Sequence, residues 1–376
     1  MELDESVITW MVGRALGDPA VAVSSWSATP LGGGSTQALG TSEGVSRLEG
    51  VASSGGRRLR WSIILKVLLR APDHDDPADW DYWKREALAY DSGLLAELPA
   101  GIDAPRCFGV TNFGEDRIGL WLDDLREAGP ARWPLARYGV AARHLGRFNG
   151  AYLAGRALPA WPWLSRGRIR QWLSLSEPAI LDLAVLARRP VGLAWLTDEA
   201  VARTQRLWRD REPILDALDG LPRCLCHHDA FRRNLIAGGN QDGRAMTTAI
   251  DWAGVGIGAI GEDLATLVSI SLQYLEVDVA DVAELDRIAF EGYANGLRDA
   301  GASIAEGTLR FGYAAAASLL LGVGGTGGWL AWLLRDADHQ KQAEGMIGHP
   351  IAEILAQWRE LQTYLLDLGD EARGLT

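Results

Sequence analysis

Residues 226–252 read CHHDAFRRNLIAGGNQDGRAMTTAIDW, and three side chains in this stretch carry oxygen at a suggestive spacing. Asp229 and Asn234 stand five apart behind His227, and Asp251 closes a second apolar run. The pieces LIAG, NQDG and AMTTAIDW predict a strand, a turn and a strand. An antiparallel hairpin returns the chain to its origin, so Asn234 and Asp251 are predicted neighbours, with Asp229 beside them. Hard oxygen donors such as Asn234 and Asp251 suit Mg²⁺. A separate carboxylate, Asp229, can orient an acceptor hydroxyl and take its proton. Phosphoryl transfer needs this set, because its catalysis is mostly positioning and charge neutralisation. Arg232 and Arg233 are candidates for extra positive charge near the transferred group.

A second group lies upstream. The run RWSIILKVLLR (60–70) places Lys66 inside a predicted buried strand. The chain carries 37 Lys plus Arg, and only Lys66, Lys84 and Lys341 are lysines. A compact ammonium suits a phosphate pocket better than a guanidinium, and an acidic partner lowers the cost of burying it. Glu86 is that candidate partner, in YWKREALAYDSGLLAEL, where Trp83, Ala87, Tyr90 and Leu94 form one helical stripe. The cluster Gly32, Gly33, Gly34, Ser35 and Thr36 is predicted to cover nucleotide phosphates with its backbone amides. Glycine loop, strand lysine and helix glutamate, in that order, are the layout of a kinase small lobe.

The elements that would position these groups divide in two. SSWSATPL, GVSRLEGVA, LRWSIILKVLL, APRCFGV and RIGLWLDDL read as strands, and APDHDDPADWD as an exposed acidic loop. Past about residue 126 the pattern is helical. In PLARYGVAARHLGRFNGAYL the positions Tyr138, Ala141, Leu145, Phe148 and Tyr152 recur at three and four. The expectation is a two-lobed α+β fold with a boundary near residues 125–130. Residues 1–125 form an antiparallel sheet with one main helix, and residues 126–376 a mainly helical lobe.

In family order over residues 31–267, the pieces LGGGST, IILKVL, REALAY, LWLDDL, HHDAFRRN, AIDW and GEDLATL resemble the aminoglycoside phosphotransferase and choline kinase-like family. That resemblance implies a protein-kinase-like fold and ATP- and Mg²⁺-dependent phosphorylation of a small-molecule hydroxyl, with GTP an open alternative to ATP. It implies Asp229 as base, Asn234 and Asp251 as metal ligands, and Lys66 with Glu86 as phosphate lysine and partner. Leu122, Asp123 and Asp124 look like the hinge that meets adenine, and Asp263 like a buried helix-capping acid. One departure is His228, where the family usually has glycine. Another is the long gap TQALGTSE after the glycine cluster.

Composition narrows the remaining classes. A net charge of −12 argues against a nucleic-acid backbone as partner. Cys107, Cys224 and Cys226 lack metal spacing, and the acidic start is unlike a secretory signal, so a reduced cytoplasmic protein is expected. The uncharged run 311–334 is long enough to span a membrane, but GVGGTGG interrupts it, predicting two short buried helices joined by a turn. Residues 276–306 hold eight acids, which would suit a cationic acceptor, a charged outer helix face being the plainer reading. A protein kinase would carry a longer segment after Asp251, and a nucleotide sensor would have lost a site residue. The pattern does not specify oligomeric state.

Overall fold

The computed structural model describes residues 3–31, 42–70, 75–127, 130, 132–239 and 245–375. The chain opens with helix α1 (Glu5–Leu16), capped by Asp4 at its start and closed by Gly17 in the left-handed conformation. Then come β1 (Ala22–Pro30), β2 (Ser42–Ser54), β3 (Arg57–Leu69), α2 (Arg85–Asp91), β4 (Ile102–Asp103), β5 (Cys107–Asn112) and β6 (Arg117–Asp123). Strands β1, β2, β3, β6 and β5 lie in that order in one antiparallel sheet.

Strand alternation gives the sheet two faces. Trp61, Ile63, Leu65 and Val67 of β3 pack with Trp121 and with Ile8, Met11 and Val12 of α1. Lys66 and Leu68 therefore point the other way, where Leu120 and Leu122 of β6 join the main core. A lysine in this apolar run lands on the cleft face because the period is two.

The helix carrying Glu86 is shorter than its stripe predicts. It ends at Asp91, and Gly93 at φ 78° starts a separate 3-10 turn, Leu94–Glu97. The loop before it is not simply exposed. Gln171 accepts from the Trp80 amide and donates to the Ala78 carbonyl, while Tyr82 and Trp83 are buried.

Past Asp123 the chain is mostly helical. Helix α3 (Leu135–Leu153) buries Tyr138, Ala141, Leu145, Phe148 and Tyr152, the predicted stripe. It is followed by β7 (Ser165–Arg166), α4 (Arg168–Leu181), β8 (Arg223–Cys226), β9 (Leu235–Gly239), β10 (Ala245–Ala249), β11 (Gly256–Ala259), α5 (Glu262–Gln273) and α6 (Val282–Asp299). Strands β9 and β10 pair antiparallel, Leu235 opposite Ala249, with β4 parallel on the far side of β10. The architecture is the expected α+β, protein-kinase-like one.

Residues 306–333 depart from expectation. No glycine turn breaks them: α7 (Glu306–Ala317) runs through a π-helical stretch, Ser318–Gly325, into α8 (Thr326–Leu333). This is the one helix among the described residues long and apolar enough to cross a membrane, and it is largely buried within the protein.

Candidate active site

The lysine of β3 and the aspartate after β10 meet at the cleft. Lys66 Nζ lies 2.6 Å from Glu86 Oε2 and 2.7 Å from Asp251 Oδ1. All three act as one unit, since Glu86 Oε1 also accepts from the Trp252 amide at 3.3 Å. Burial disfavours the ammonium, yet the two carboxylates outweigh it and hold the Lys66 pKa above its ordinary value. Burial pushes the Glu86 carboxyl up. Asp251 also feels burial, but the charge and hydrogen bond of Lys66 win and hold its pKa low.

The hairpin does what its pattern predicts. The Ile250 amide donates to the Asn234 carbonyl at 2.9 Å, so Asp251 follows directly beside Asn234. Asn234 Nδ2 in turn donates to Asp229 Oδ2 at 2.7 Å and to the Asp229 carbonyl at 3.0 Å. Burial, and then the nearby Asp251 charge, raise the Asp229 carboxyl to about 7, against the opposing pull of Arg168, Asn234 and Lys66. With its nitrogen committed to Asp229, Asn234 has its side-chain oxygen left for a cation. That oxygen and the Asp251 carboxylate are hard donors, which fits Mg²⁺ or Ca²⁺.

The loop bearing Asp229 is held from behind. Asp263, in the first turn of α5, accepts from the His227 amide at 3.1 Å, the His228 amide at 2.8 Å and Asn149 Nδ2 at 3.0 Å. This corrects the capping expectation: α5 has Gly261 at its N-cap with no side-chain cap, and Asp263 clamps the loop that bears Asp229 instead. His227 Nε2 donates to the Ile250 carbonyl, and its Nδ1 accepts from the Asp229 amide. Burial lowers its pKa to about 4, so the ring is neutral, as that pattern requires.

His228 adopts φ 66°, the left-handed region where glycine is at ease. Its Nδ1 reaches the Gly254 carbonyl at 3.0 Å and its Nε2 reaches Glu262 at 3.2 Å. Gly258 makes room for the ring, since a Cβ there would stand 2.5 Å from His228 Nε2.

Other expectations fare unevenly. Gly32, Gly33, Gly34 and Ser35 lie outside the described residues. Leu122 and Asp123 end β6 and Asp124 follows it, with Leu122 on the Lys66 face. The Asp123 amide already donates to the Arg106 carbonyl, and the Asp124 carboxylate is held by Arg47 and Ser62. Arg232 pairs with Glu127 and Arg233 with Glu276, so neither lines the cleft. Besides Lys66, the basic group that does is Arg168, first residue of α4, close enough for its charge to act on Asp229. Nothing in its neighbourhood, SRGRIR, singles it out.

Arg85 was also missed. Fully buried beside Glu86, it donates to the carbonyls of Trp163, Trp80, Pro77, Asp79 and Ala253. It thereby ties the 77–80 loop to the segment after Asp251. A lone Arg in KRE reads as solvated surface, and only the fold shows otherwise.

Fold and site together define a two-lobed, kinase-like protein. Residues 141–302 match the phosphotransferase enzyme family, so the resemblance read from the motifs holds. No curated protein matches the sequence. Among solved structures, an amicoumacin kinase in complex with AMP-PNP, Ca²⁺ and Ami is 13% identical, with 93% of this chain and 94% of that one covered and a TM-score of 0.51. A microcompartment-associated aminopropanol kinase is 14% identical, with 97% and 100% covered and a TM-score of 0.53. At such identities the likeness shows the fold.

Proposed function

We propose that this protein transfers the γ-phosphoryl group of ATP, with Mg²⁺, to a hydroxyl of a small molecule. The observation that carries this is the convergence of Lys66, Glu86, Asp251, Asn234 and Asp229 at one end of a cavity whose other walls are chiefly apolar. The family match and the AMP-PNP in the amicoumacin kinase neighbour support it.

In this reading residues 1–125 form the nucleotide lobe and 126–376 the catalytic and acceptor lobe. Lys66, held by Glu86, presents a compact charge to the nucleotide phosphates. Asn234 and Asp251 hold the metal, which when bound neutralises phosphate charge. Asp229, oriented by Asn234, accepts the hydroxyl proton. The acceptor oxygen bonds to the γ-phosphorus as the bond to the β–γ bridging oxygen breaks, and ADP leaves with that electron pair. Arg168 sets a guanidinium beside the reacting end, and apolar walls exclude water, which strengthens each of these charges. Only residues 252–261 separate Asp251 from α5, which favours a small-molecule kinase over a protein kinase.

The test is ADP release from ATP and Mg²⁺ by the purified chain against a panel of hydroxyl compounds. Acceptor-dependent release that Asp229→Asn abolishes supports the reading. Release that ignores both acceptor and mutation overturns it.

A further inference from the structure

The cavity beside Asp229 has a composition that selects its occupant, given the phosphotransfer reading above. Trp80, Trp172, Trp329, Phe231, Tyr274 and Leu320 form its walls. Trp172, on α4, donates its indole N–H to the Leu320 carbonyl at 3.0 Å, and Trp80 stands edge-on to it at 5.2 Å. The glycine run that looked like a turn serves this placement. A Cβ on Gly324 would stand 2.5 Å from Trp172 Cδ1, so only glycine lets the indole lie against the π-helical stretch. Stretches of π-helix are rare and often mark functional positions.

Charge on this wall is sparse. Beyond Lys66, Asp229 and Asp251 at the transfer end, the cavity meets Arg168 and Asp81. Asp81 lies within the field of Arg85, and Arg168 within that of Asp229. None of the acids in 276–306 lines the cavity. Glu276 pairs with Arg233, Glu284 and Glu291 with Arg287, Asp286 with Arg310, and Asp299 with Arg143 and Arg147. Their placement removes the basis for expecting a cationic acceptor. A polycation entering here would lose the hydration of each ammonium with few carboxylates in exchange, and Arg168 would repel it. An apolar ring system would gain by leaving water.

We propose that the acceptor is an uncharged, ring-bearing and predominantly apolar alcohol, rather than an aminoglycoside or a choline-like cation.

The experiment uses the full chain with Mg²⁺. Binding of a hydroxysteroid ketone, a hydroxylated macrolactone, kanamycin and choline is read by tryptophan fluorescence with AMP-PNP, and transfer by phosphorylated product with ATP. The expected result is binding and phosphorylation of an apolar alcohol only. Trp172→Ala and Trp329→Ala should each raise its KM tenfold or more. Trp172→Phe should recover most of that loss, and nucleotide affinity should stay the same in all three. Kanamycin or choline used as well as or better than the apolar alcohols overturns this inference and leaves phosphotransfer standing. Apolar alcohols that neither bind nor react overturn it too. Apolar binding without transfer to any compound supports the pocket and overturns the phosphotransfer reading.

Discussion

Lys66 and Asp251 stand 185 residues apart in the chain and 2.7 Å apart in the fold. Between them the pair joins the sheet lobe to the hairpin of the helical lobe, and Glu86 closes the triangle. Lys66→Ala would leave the buried Glu86 carboxylate and the partly buried Asp251 carboxylate without their cation, a loss of up to about 3–5 kcal/mol. Lys66→Arg should not restore function, because a longer planar group does not fit between carboxylates 2.6 and 2.7 Å from one nitrogen. Lys66→Met with Glu86→Gln should regain thermal stability but not nucleotide affinity. Melting curves and nucleotide titration on the same proteins separate the two, and intact affinity in the double variant would overturn the phosphate role.

Asp251 sits at φ 61°, a conformation that asparagine tolerates as well as aspartate. Asp251→Asn therefore removes charge while sparing the backbone. Turnover should fall by about 10²-fold or more, the scale for losing one electrostatic contributor, and the Mg²⁺ concentration for half-maximal rate should rise. Unchanged Mg²⁺ dependence would place the metal elsewhere.

Legibility followed the range of each signal. Lys66, Glu86, Asp229, Asn234 and Asp251 could be read because strand period, hairpin return and fixed spacing are local rules that determine where a side chain points. The π-helical stretch could not, because glycine in GVGGTGG signals either a turn or a close neighbour, and the neighbour, Trp172, is 148 residues before Leu320 in sequence. Helix α1 went unread although Asp4 and Gly17 are ordinary cap signals. Arg85, Arg168 and the clamp by Asp263 depend on tertiary partners, and no local pattern encodes those.

Asp229 should give the rate a pH limb. Its carboxyl is raised to about 7, so it is mostly protonated below that value and can accept a proton only above it. In kcat/KM, which reports the free enzyme, the rate should drop about tenfold per unit below pH 7 and level off above. Asp229→Asn should flatten the limb and lower the plateau by about 10²–10⁴-fold. Stability runs oppositely: ionising this carboxyl is harder in the fold than in the unfolded chain, so wild type loses stability between its unfolded pKa and about 7 as pH rises. Asp229→Asn should lack that loss and melt higher at pH 8. A melting difference that ignores pH would refute the assignment.

His228 replaces the glycine that its loop conformation favours, and its ring faces an acceptor at each end, the Gly254 carbonyl and the Glu262 carboxylate. The Nδ1 hydrogen bond to the Gly254 carbonyl and the Glu262 carboxylate 3.2 Å from Nε2 favour the doubly protonated ring. Burial opposes this, but Cys226 and Glu262 prevail and raise the pKa to about 10. His228→Gly would relieve left-handed strain of about 1–2 kcal/mol yet strand Glu262, for which about 3–5 kcal/mol is the usual penalty. The net expectation is a less stable protein, and adding Glu262→Gln should recover part of the loss. A folded pKa above the unfolded one gives stability that is complete below about 6.5 and disappears as pH rises through about 10. His228→Asn accepts the backbone conformation and can still donate to Gly254, but it holds no charge. Its melting temperature should therefore fall less than that of wild type from pH 6.5 to 10. Parallel curves would mean a neutral His228, and a stabilised His228→Gly would mean that strain outweighs the ion pair.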